Sequence, residues 1–165
     1  MPPTYRERLR IEGAVLAGCG AAGSGVLLAS FEEARRGPGS TVGQLAVVAV
    51  LLAALAPRSA RKAIDRAEPV PPGDEGSGEP TPLWHVPLVL AGLVATVVVP
   101  RELGLERAGW DAALRVTGGC ALVGLAQAVL LERVVAADER STGRSYLRMP
   151  GSRLGRGTRL GWRKS

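Results

Sequence analysis

The stretch Gly13–Phe31, GAVLAGCGAAGSGVLLASF, decides how this chain is read. It runs 19 residues without Asp, Glu, Lys or Arg, and two incompatible structures compete for it. As a single helix rising about 1.5 Å per residue, it comes close to crossing the roughly 30 Å hydrocarbon core of a bilayer. As a nucleotide fingerprint, Gly18-Cys19-Gly20-Ala21-Ala22-Gly23 matches GxGxxG, with apolar Ala14–Ala17 as the strand and Ser24–Ala34 as the helix. Those glycines would turn strand into helix and bring pyrophosphate to the helix N-terminus. The unit also requires an acid for the ribose about 20 residues further on. After Gly37, however, no Asp or Glu occurs until Asp65. The helix reading therefore leads, and a dinucleotide-binding protein using Gly18–Gly23 stands as an alternative.

Three more blocks support the helix reading, because Thr41–Ala56, Leu83–Pro100 and Val116–Leu131 also contain no charged residue. They run 16, 18 and 16 residues, too long and too continuous for strands of about 5 to 6. The shorter ones reach spanning length by adding Gly39 and Ser40 before the second, and Ala112–Leu114 before the fourth if Arg115 snorkels along its aliphatic stem. The expected spans are about 11–31, 39–57, 83–100 and 112–131, within a transmembrane domain over 1–137. Arg35-Arg36-Gly37-Pro38-Gly39 reads as a tight hairpin, Pro57 as the end of the second span and Pro100 as the end of the third. Trp84 and Trp110 sit at span entrances, where amphipathic rings settle at headgroup depth.

Between the second and third blocks, residues 67–82 are rich in Pro and Gly and carry the acids Asp74, Glu75 and Glu79. Such a segment has too little apolar surface to order itself and is expected to be a flexible, acidic linker. Charge gives the orientation. Counting Lys and Arg in alternate loops places 16 on the side holding both chain ends and the linker, and 5 on the other, which predicts cytoplasmic ends. The fold expected is all-α: an integral membrane bundle of four transmembrane helices, both ends inside, with a basic tail over 138–165.

That tail holds the whole net charge of +6, with 8 basic and 2 acidic residues against 13 of each in the rest. Its core is a six-residue repeat, Gly151-Ser-Arg-Leu-Gly155-Arg followed by Gly157-Thr-Arg-Leu-Gly161-Trp. Arg153, Arg156, Arg159, Arg163 and Lys164, interleaved with Leu154, Leu160 and Trp162, are the candidate contacts for anionic headgroups at the inner leaflet. The same residues could set topology alone, or meet nucleic acid phosphates, a partner this sequence favours less.

Small residues recur every fourth position as Gly13, Ala17, Ala21 and Gly25 in the first block, and as Cys120, Gly124 and Ala128 in the last. Such stripes let helix backbones touch where lipid removes the hydrophobic drive. They are the candidate packing faces, inside one bundle, across a homo-oligomer or within a larger membrane complex.

Sites for chemistry do not emerge. Cys19 and Cys120 have no partner at metal-ligand spacing, and Leu16-Ala17-Gly18-Cys19, though it resembles a lipoprotein processing box, lacks the apolar stretch a signal sequence needs before cleavage. The ionisable residues near the spans are Glu12, Arg115, Glu132, Arg133 and the single His85; Glu12 and Glu132 would lie at one depth, facing Arg10 or Arg133. None is mid-span. Thr96, Thr117 and Gln127 suit interhelical hydrogen bonds. With no catalytic, cofactor or metal residues assigned, the expectation is a multi-pass protein of the bacterial cytoplasmic membrane that is a non-enzymatic structural or accessory component. A holin-like pore or a permease is the alternative.

Overall fold

The computed structural model describes residues 4–30, 38–70, 107–149 and 159–164, together with residues 92, 94, 95, 98 and 102. Of these, 83% are helical, and three helices are long and apolar enough to cross a membrane. Helix α1 covers Tyr5–Ser30 and α2 covers Pro38–Asp65. Helix α3, Arg107–Leu125, passes through a wide π-helical turn at Ala126–Leu131 into α4, Glu132–Thr142, making one rod.

Helix α1 begins on a reciprocal cap. The Thr4 hydroxyl accepts from the Glu7 amide at 3.2 Å, and the Glu7 carboxylate accepts from the Thr4 amide at 2.9 Å, which satisfies two of the amides that a helix start leaves without partners. Everything from Ala14 to Gly23 is helix, so the strand and turn that a nucleotide fingerprint needs are not formed there.

Pro57 does not end α2, a correction to the sequence reading: the helix continues two more turns to Asp65. Proline removes its own amide bond and crowds the carbonyl four residues back, and apolar helices packed on neighbours tolerate both. The last rod likewise starts before residue 112 and continues past 131. The expected third span, 83–100, lies outside the described residues except for 92, 94, 95 and 98, which are helical and exposed.

Helices α1 and α3 run antiparallel. Gly13 meets Ala128 and Gly124, Gly20 meets Ala121 and Thr117, and Leu27 packs with Trp110, Ala113 and Leu114. Helix α2 instead runs parallel to the α3–α4 rod, since Leu45 lies against Gly118, Leu52 near Leu122 and Ala126, and Ile64 near Val134 and Ala137. The bundle thus has a Trp110 end and a Glu132 end.

At the Glu132 end the chain is not all helical. Gly143, at φ +63°, closes α4 in the left-handed conformation glycine adopts freely, and its amide donates to the Glu139 carbonyl at 3.0 Å. Strand β2, Arg144–Met149, then pairs antiparallel with β3, Arg159–Lys164, while β1, Glu68–Pro69, pairs parallel with β3 in the order β1-β3-β2. Two parts of the sequence reading are corrected here: the tail is partly a β-hairpin, and the first linker residues are a strand. Adjacent Tyr146 and Leu147 in β2 and Leu160 in β3 are all buried, so both faces of the hairpin are covered, and that burial gives this segment a reason to order that counting charge does not reveal.

Apolar side chains lie on the outside of the bundle as well as inside it. The largest fully buried side chains are Arg8, Tyr146, Leu27, Leu147, Val135, Thr41 and Thr117, while Val42, Val47, Val50, Leu51, Leu55, Val116 and Leu125 are exposed. Val50 is 69% exposed, and of the most apolar 18-residue window in α2 only 11% is buried. An apolar surface of that extent belongs in lipid or against another protein.

Candidate functional site

The polar residues of the bundle gather at the Glu132 end. Arg6 and Arg10, one helical turn apart on α1, both donate to Glu132 Oε1, Arg6 through Nε and Arg10 through Nη2 at 2.7 Å. Glu132 itself is buried at 7% exposure, so it is the shared acceptor that ties the start of α1 to α4. On another face of α1, buried Arg8 donates to Glu12 at 2.7 Å, and Arg148 of β2 approaches the same carboxylate at 3.9 Å. Glu12 and Glu132 therefore do lie near one depth, but each serves a different pair of arginines. Arg133, one residue on, faces α2 instead, where it lines a crevice with Arg61.

Strand β2 is anchored by Tyr146. Its ring packs with Leu9 and Val135, its hydroxyl donates to Asp138 at 2.6 Å, and its amide donates to Glu139 at 3.3 Å. Burial, reinforced by the hydrogen bond to Asp138, pushes the Tyr146 hydroxyl up to about 12, because removing its proton would set a second anion in an apolar site beside a carboxylate. Across the hairpin Tyr146 lies opposite Trp162 and Arg144 opposite Lys164, and the Arg144 guanidinium stands 4.2 Å over the Trp162 ring.

The residues expected to contact headgroups fall in two places. Arg159, Arg163 and Lys164 are in β3, and strand alternation puts Arg163 and Lys164 on opposite faces. Arg153 and Arg156 lie outside the described residues.

The second feature is the α1–α3 seam. A Cβ added at Gly13 would stand 2.7 Å from the Ala128 amide nitrogen and the Gly124 carbonyl; at Gly20 it would stand 2.5 Å from the Ala121 nitrogen and the Thr117 carbonyl. At Gly124 it would lie 2.6 Å from the Gly13 carbonyl. Above this contact the Ser24 and Thr117 hydroxyls share a hydrogen bond of 2.8 Å, and Thr117 is fully buried.

Of the residues expected on the packing faces, Gly13, Ala17, Gly124 and Ala128 are brought together. Ala21 and Gly25 point outward, with open space around Gly25, and Cys120 is half-buried. The contact stripe on α1 is Gly13, Ala17, Gly20, Ser24, Leu27, alternating steps of four and three. A strict step of four drifts about 40° per turn on a helix of 3.6 residues, which carries Ala21 and Gly25 off the face. Trp110 packs inward, at 8% exposure, where an interfacial ring was expected. Trp84 and His85 lie outside the described residues.

Among the described residues no three His, Cys, Asp or Glu side chains gather as metal ligands. No known protein family, curated protein or solved structure matches this chain.

Proposed function

We propose that this chain is a multi-pass protein of the bacterial cytoplasmic membrane, a four-helix bundle with both ends inside, and that it works as a non-enzymatic structural or accessory component of a membrane assembly. The observation that carries the reading is the apolar outer surface, with Val and Leu exposed along three helices long and apolar enough to cross a membrane.

The directions of the described helices support a fourth crossing. Helix α2 ends at the Glu132 end and α3 begins at the Trp110 end, which supports a return between them over the length of the bundle, about 37 Å for the 25 residue steps from Arg107 to Glu132. Residues 83–100 are the uncharged stretch available for that return. Orientation rests on the 16 to 5 excess of Lys and Arg at the Glu132 end. Arg159, Arg163 and Lys164 in β3, with Arg153 and Arg156 in the sequence between β2 and β3, then contact anionic headgroups of the inner leaflet.

The α1–α3 seam is closed backbone to backbone, which supports a scaffold over a pore through this pair. The lipid-facing apolar faces are where a second copy or a larger complex would attach.

Purified protein in sealed vesicles tests the reading. We expect ion and dye flux equal to that of protein-free vesicles, and reproducible conductance would overturn the scaffold assignment in favour of a pore.

A further inference from the structure

The seam between α2 and the α3–α4 rod carries two hollows in line. Nearer mid-bundle is an apolar crease of about 270 Å³ lined by Ala49, Leu52, Leu122, Leu125 and Val129. Toward the Glu132 end the same two helices enclose a crevice of about 520 Å³ lined by Arg61, Asp65, Arg133, Asp138 and Ser141. From Leu125 to Arg133 the rod rises about 12 Å, within the roughly 15 Å half-thickness of a hydrocarbon core. The crease therefore sits at acyl-chain depth and the crevice at headgroup depth of one leaflet.

The crevice charges are balanced and partly preset. Asp138 is held by the Tyr146 hydroxyl at 2.6 Å, while among the described residues Arg61, Asp65 and Arg133 form no ion pair with one another. Two cations and two anions around one opening complement a ligand that carries both signs.

The geometry points to a phospholipid site. The phosphate of an amine-bearing zwitterionic headgroup lies between Arg61 and Arg133, its ammonium meets Asp65 and Asp138, and one acyl chain occupies the crease beside Leu52 and Leu125. A purely anionic headgroup would set its charge against both aspartates. A quaternary ammonium has no N–H to donate to them. This site rests on the membrane-spanning reading but is separate from the basic hairpin.

Native mass spectrometry of the detergent-solubilised full chain tests it, with added phosphatidylethanolamine, phosphatidylglycerol or phosphatidylcholine of identical acyl chains, and with free phosphoethanolamine. The expected result is one retained phosphatidylethanolamine, held at least about tenfold more tightly than the other two lipids, with no retention of free phosphoethanolamine. Arg61→Gln with Arg133→Gln should weaken retention about tenfold or more, at about 1 kcal/mol per charge near the surface. Asp65→Asn, at an exposed position, should remove the preference for ethanolamine over choline. Ala49→Phe, filling the crease, should weaken all three lipids.

Equal retention of the three lipids by the wild-type chain, or retention unchanged by the double arginine variant, overturns the site. Alkaline carbonate washing of membranes separates the two levels of the argument: release of the chain into the soluble fraction refutes the membrane reading itself. Retention of the chain without lipid selectivity refutes only this inference.

Discussion

One methyl group, placed at two glycines of the same bundle, should act with opposite sign. At Gly124 a Cβ meets the Gly13 carbonyl at 2.6 Å and the Ala17 Cα at 2.8 Å, both backbone atoms that no rotamer change can move. Gly124→Ala must therefore push α1 and α3 apart. Overpacking of this kind costs about 1–3 kcal/mol, and stretching the Ser24–Thr117 hydrogen bond adds about 0.6 kcal/mol, the average for such bonds in membranes. Against this stands the helix-propensity gain of alanine over glycine, about 1 kcal/mol. The net expectation is a loss of about 1–2 kcal/mol for Gly124→Ala and clearly more for Gly124→Val. At Gly25 nothing lies within 4 Å, so Gly25→Ala keeps the propensity gain of about 0.5–1 kcal/mol. Reversible unfolding in mixed micelles with increasing SDS reads both. Equal effects of the two substitutions would refute the seam, because only a backbone contact at Gly124 separates them.

Further outcomes follow from the Glu132 end. Glu132→Gln removes the charge shared by Arg6 and Arg10 and should cost about 2 kcal/mol in the same unfolding assay, with a smaller effect from Arg10→Gln because Arg10 is more exposed. The raised Tyr146 pKa stabilises the fold fully below pH 10, the ordinary tyrosine value, and that contribution disappears as pH rises through about 12; phenolate absorbance should show two late-titrating tyrosines, since burial raises Tyr5 as well, and Tyr146→Phe should remove one of them. Gly143→Ala forces a side chain into φ +63° and should cost about 1 kcal/mol at the helix–hairpin junction, read as faster proteolysis of the hairpin at unchanged helical content.

Much of the helical frame was legible because bilayer thickness makes long uncharged runs informative. Gly13–Phe31, Thr41–Ala56 and Val116–Leu131 all lie on described helices or at their edges. What composition misjudged were local terms outweighed by neighbours. Pro57 reads as a stop in isolation, yet one missing amide bond does not end a helix that continues to Asp65. Trp110 reads as an interfacial ring, yet Leu27 and Leu114 bury it. The packing stripe was half legible: Gly13, Ala17, Gly124 and Ala128 were visible as small residues, whereas Gly20 and Ser24 required the 3.6-residue period to be followed in place of a constant four. The tail was misjudged most, since eight basic residues dominate its appearance while Tyr146, Leu160 and Trp162 give it a face to bury. The crevice at Arg61 and Arg133 had no sequence signal, because its residues are far apart in the chain and meet only through the parallel packing of α2 and α4.

The central claim is a chain that crosses the membrane four times with both ends on one side. Single cysteines in a Cys19→Ala, Cys120→Ala background, at positions 37, 67, 106 and 165, can be challenged in intact cells with a membrane-impermeant thiol reagent. Labelling is expected from outside at 37 and 106, and at 67 and 165 only after the membrane is opened. Labelling at 37 together with protection at 106 would leave no crossing between α2 and α3, and would contradict the claim.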